Sequence, residues 1–167
     1  MVTLRCTERL RSRLGAPEPE AAATGILGDW YAKLVAMRPR QLAVCVNERS
    51  LLCVVVPVAP ANGLLQRFAA AARRRIEQIP ASAAARQQEL DAFAAVHLGR
   101  TASRSVVSSM NQFGYAVTAW LEAEREEDLD ELGLWLCDTP CTTLPAVWPW
   151  REAERLLGEA SASADSG

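Results

Sequence analysis

Three short apolar runs follow one another at residues 30–37, 42–47 and 51–57, and they constrain this chain more than any other feature. Each is rich in Val, Leu, Ala or Cys and has strand length rather than helix length. The first is closed by Arg38-Pro39-Arg40. The second is linked to the third by Glu48-Arg49-Ser50, a link of hairpin length that lacks the usual turn glycine. Strands joined by such short links run antiparallel, because a parallel return needs a crossover of a dozen or more residues. The region therefore predicts a meander. A β-compatible segment at 2–6 precedes it. Thr7 is placed to cap a short helix carrying Leu10 and Leu14 and stopped by Gly15, and 16–25 reads as a Pro-, Ala- and Glu-rich loop.

Beyond residue 63 the hydrophobic period changes from two to between three and four. Leu64, Leu65, Phe68, Ala72, Ile76 and Ile79 form one helical stripe, closed by Pro80. Ser82 caps a second helix over 83–95, and 96–99 is a short strand or extended connector. Ser103 opens a long helix with Val106, Met110, Val117 and Trp120 on its apolar side. Leu132, Leu134, Trp135 and Leu136 add a further turn or two. Pro140, Pro145 and Pro149 then break the chain before a short helix at 153–157. The expected fold is a single α+β domain over residues 1–158, a small antiparallel sheet of three or more strands with helices on one face, followed by a flexible tail at 159–167.

Composition narrows the chemistry. At 167 residues, 50% hydrophobic and a formal net charge of -2, the chain has the make-up of one soluble domain and gives no global case for a nucleic-acid or anionic-membrane binder. The longest apolar run, 51–61, is interrupted by two prolines and is too short to span a bilayer. The five cysteines, Cys6, Cys45, Cys53, Cys137 and Cys141, form no dense framework and read as free thiols in a reducing cytoplasm, with no metal site and no cofactor. With a single histidine, His97, any triad or His-based site would have to use that one residue. The small net charge conceals a separation. Residues 67–86 carry five Arg and one Glu, and residues 122–131 carry seven acids and one Arg. Both read as solvated helix faces that make the molecule a dipole suited to docking.

Polar residues gather at the junctions between predicted elements. Asp29, Trp30 and Tyr31 lead into a strand, and Asn47, Glu48 and Arg49 stand at a hairpin tip. Arg104, Ser105 and Asn111 stand at the start of the long helix. A Ser-rich helix start flanked by arginines offers free N–H groups, the positive end of the helix dipole and guanidinium forks to an anion. Asp29 and Glu48 would be the acid/base pair if the sheet brought them together.

At these same residues the chain resembles an uncharacterised bacterial family known as a domain of unknown function. The resemblance runs over about residues 2–145. It is carried by Leu4-Arg5-Cys6-Thr7, Trp30-Tyr31-Ala32-Lys33-Leu34, Asn47-Glu48-Arg49-Ser50-Leu51, and a Thr101–Asn111 segment containing Arg104-Ser105-Val106 and Ser109-Met110-Asn111. Lys33 departs from the Asn usual there. The resemblance implies no catalytic residues, and implies a mobile-element setting only by association.

Two functions follow as expectations. The first is a non-catalytic interaction module that binds a protein or an anionic partner, with nucleic acid the weaker option, through Trp30, Tyr31, Asn47, Arg49, Arg104, Ser105 and Asn111. The alternative is a phosphate-ester or phosphodiester hydrolase using the same patch, with Asp29 or Glu48 as base.

Overall fold

A computed structural model describes all residues except 18, 20, 21, 38, 124–127 and 165–167, together with the side chain of Ala164. Among the described residues there are five strands: β1 (Val2–Cys6), β2 (Trp30–Met37), β3 (Arg40–Asn47), β4 (Cys53–Pro57) and β5 (Val96–Arg100). The helices are α1 (Glu8–Arg11), α2 (Leu64–Glu77), α3 (Ala83–Ala92), α4 (Arg104–Glu122), α5 (Leu129–Cys137) and α6 (Pro149–Ala164). The expected meander is there, with β2–β3 and β3–β4 both antiparallel. The sheet order is β4-β3-β2-β1-β5, and β1 runs parallel to both β2 and β5, so the sheet is mixed rather than wholly antiparallel. The connection through residues 7–29 is long enough for the crossover that a parallel pair requires.

Helices cover both faces, where one covered face was expected. Alternate residues of a strand point to opposite sides. Trp30 packs edge-on against Phe68 of α2 at 5.5 Å between ring centroids and against Phe93, just after α3, at 6.4 Å. Three residues on, Lys33 reaches the other side and donates to Asn111 of α4. The reason lies in the apolar runs. Residues 42–46 and 53–56 are buried without a break, a pattern that only a sheet covered on both sides can satisfy. The aromatic contacts add about 0.5–1.5 kcal/mol per pair beyond simple burial.

The outer edge of β4 is closed by side chains at its two ends. Asn47 N–H donates to the Leu52 carbonyl at 2.8 Å and Val58 N–H to the Gln41 carbonyl at 2.9 Å. The alternation between these rungs turns the backbone groups of Cys53, Val55 and Pro57 away from β3. Pro57, with no N–H to offer, sits where none is needed. Cys53 N–H donates to Cys137 Sγ of α5 at 3.2 Å, and Arg67 Nε donates to the Pro57 carbonyl at 3.0 Å. α6 is longer than the short helix expected at 153–157 and continues into the segment read as tail; Ser161 Oγ lies 2.6 Å from Ser82 Oγ at the start of α3.

Candidate functional site

The turn between β3 and β4 explains how a hairpin forms without glycine. The buried Asn47 side chain takes the place of a backbone turn. Its Oδ1 accepts from Arg49 N at 3.1 Å, Ser50 N at 2.9 Å and Ser50 Oγ at 2.8 Å, while Leu51 takes the left-handed conformation with φ 57°. Asn47 Nδ2 meanwhile donates to the carbonyls of Leu27 at 3.0 Å and Asp29 at 3.3 Å. The hairpin tip is thereby tied to the loop leading into β2.

Asp29 is tied in from every side. Its carboxylate accepts from Thr3 N at 2.9 Å and from Arg5 Nε at 3.0 Å, and its own N–H donates to Glu48 Oε1 at 2.9 Å. Glu48 N–H returns a bond to the Asp29 carbonyl at 3.0 Å. Gly28 makes this possible. Its φ is +76°, and a Cβ there would collide with the Glu48 carboxylate. Arg49 donates to the Ile26 carbonyl, and the buried Glu89 of α3 accepts from Leu27 N at 2.9 Å. Burial pushes the Glu89 carboxyl up from its ordinary range, opposed by the backbone donors and by Arg49.

The expected patch therefore divides. Trp30, Tyr31, Asn47 and Asp29 are buried, Trp30 and Asn47 completely. The Asp29 and Glu48 carboxylates do come together, but around backbone N–H groups and Arg5, a frame that leaves Asp29 little access to solvent. Arg104, Ser105 and Asn111 remain exposed at the start of α4.

That start is anchored from below. Ser103 N–H donates to the Tyr31 hydroxyl at 3.1 Å, and Ser103 Oγ accepts from Val106 N at 3.3 Å as the helix cap. Beside it lies a concavity of about 460 Å³ lined by Thr101, Ser103, Arg104, Val107, Ser108 and Asn111. Lys33 Nζ donates to Asn111 Oδ1 at 2.7 Å and so brings the only lysine of the chain to this rim. Burial lowers the Lys33 pKa from its ordinary value. Sequence reasoning treated Lys33 as a departure from a pattern and missed its place here; only its odd position within β2, on the α4 side of the sheet, signals it.

His97 lies in β5, half-buried, in register with Thr3. Cys6, Cys45, Cys53 and Cys137 are buried free thiols and Cys141 is half-buried. Burial raises all five pKa values, that of Cys6 to about 12 and that of Cys137 to about 11. Among the described residues no group of three or more His, Cys, Asp or Glu could hold a metal ion, and no helix is long and apolar enough to cross a membrane.

Fold and site together define a small α+β domain: a helix-covered mixed sheet, a motif-built frame at one end, and a polar concavity where α4 begins. The chain belongs to the family described as a domain of unknown function, DUF6933, whose model matches residues 3–152. A comparison with curated proteins finds no match.

Proposed function

We propose that this protein is a non-catalytic interaction module that holds an anionic group of its partner where α4 begins. One observation carries the reading: Arg104 lines the concavity of about 460 Å³ and its side chain makes no hydrogen bond or ion pair to any other described residue. Ser108 and Asn111 of its lining are exposed, as is Ser105 at the start of α4, Lys33 adds charge at the rim, and the Ser103 cap takes the Val106 N–H but not those of Arg104 and Ser105 in the first turn. Trp30, Tyr31, Asn47 and Arg49 serve as the frame that fixes this surface. The hydrolase alternative draws less support, since Asp29 and Glu48 are committed to the frame and neither lines the concavity. A cytoplasmic setting is favoured by the five unpaired thiols. Whether the anionic partner is a nucleic acid is a question of salt dependence.

The test is calorimetric titration with pyrophosphate at low and at high salt. Binding that weakens with salt, and about tenfold further in Arg104→Ala, supports the proposal. Equal affinity in the variant, or release of orthophosphate from the probe, overturns it.

A further inference from the structure

We infer a second anion site, away from α4, in the cleft between α2 and the outer edge of β4. The cleft has a volume of about 220 Å³ and is lined by residues 54–57 of β4, by Arg67, Arg74 and Arg75 of α2, and by Leu129 and Asp130 of α5. Its charges do not balance: three guanidinium groups face one carboxylate. Arg67 is spent on carbonyls, donating to those of Pro57, Val58 and Pro60. Arg75 is wholly buried; its Nη2 donates to the Asp130 carbonyl at 2.9 Å and to Asp130 Oδ1 at 3.1 Å, and its Nη1 to Gln78 at 3.2 Å.

Two kinds of donor are left over. Arg75 Nε is buried with no hydrogen-bond partner among the described residues. A buried donor without an acceptor is costly, and a guanidinium more so, so this group calls for an acceptor that a ligand would supply. Arg74 lines the same cleft, is exposed, and has no partner among the described residues. The β4 register adds a third donor: the Val55 N–H is turned away from β3 toward this edge, between the positions closed by Cys137 and by Arg67. Two guanidinium groups and a backbone N–H around a small cleft suit one oxyanion, a phosphate or a carboxylate. The site is independent of the α4 concavity, and neither reading depends on the other.

The experiment follows the Arg75 Nε–Hε resonance by NMR in the full chain, titrated separately with inorganic phosphate and with succinate. A saturable shift with either probe, weakened about tenfold in Arg74→Ala and unchanged in Arg104→Ala, establishes the site, and the tighter probe identifies the oxyanion. Arg74 holds nothing else in place, so Arg74→Ala should fold normally, checked by its unfolding midpoint. No shift with either probe, or a shift with the same affinity in Arg74→Ala, overturns the inference.

Discussion

Asn47 and Asp29 lie at the junction of two strands and hold each other through the backbone: Asn47 Nδ2 donates to the Asp29 carbonyl at 3.3 Å, while Asn47 Oδ1 accepts from the turn that follows it. A single buried amide thus fastens the hairpin tip to the loop before β2. Neither half of its chemistry is replaceable by a residue that only donates or only accepts.

Asn47→Ala should therefore lower the unfolding free energy by about 3 kcal/mol, because it strands buried donors and acceptors on both sides. Asn47→Asp should be at least as harmful, since a carboxylate still accepts from the turn but cannot donate to Leu27 and Asp29. Urea unfolding of the two variants checks this. A well-tolerated Asn47→Asp would show that the Nδ2 bonds contribute little.

Gly28→Ala tests the same frame from the other side. The left-handed backbone costs a side chain roughly 1–2 kcal/mol, and the new methyl displaces the Glu48 carboxylate from Asp29 N–H. A loss of about 2 kcal/mol is expected in the same unfolding assay, with helix content by circular dichroism unchanged.

Glu89 gives a pH dependence of definite sign. Its folded pKa is raised, so the folded state holds the proton more tightly than the unfolded chain. Its favourable contribution is complete below the ordinary carboxyl range and is lost as pH rises through the raised value. Glu89→Gln, which can still accept from Leu27 N–H, should be close to wild type in acid and gain on it steadily toward neutral pH. A stability difference that does not change with pH would contradict this.

The thiols should be silent in the native state. Four are buried, and burial keeps all five protonated more strongly than a free cysteine. At pH 8, iodoacetamide should modify Cys141 first and slowly, with the other four reacting only after denaturation. Mass spectrometry of the alkylated peptides reads this directly. Rapid labelling of Cys53 or Cys137 would show that the α5 contact with β4 opens readily.

Much of the fold was legible because it is local. The meander follows from three apolar runs and two short links, and α2 and α4 follow from their stripes. The parallel placement of β1 beside β2 was not, because a pairing across residues 7–29 leaves no periodicity to read. The second covered face was half-visible: 53–56 is apolar at every position, which alternation on one face does not require. At the site, the motif residues were found but their role was not. Trp30 and Asn47 look like surface chemistry in a string of polar neighbours, and only the register that sets them opposite one another on the α2 side shows why they are buried. The two charge runs also meet, at least at Arg75 and Asp130; residues 124–127 of the acidic run lie outside the described residues.

The central claim is that the frame residues build the surface and the start of α4 does the binding. Amide NMR mapping of a pyrophosphate titration tests it most directly. The account predicts shifts at residues 101–111 and at Lys33 that Arg104→Ala abolishes, separate from any at the α2 cleft, which Arg104→Ala leaves in place, with Asp29 and Glu48 unmoved. Shifts centred on Asp29 and Glu48 that survive Arg104→Ala would contradict it.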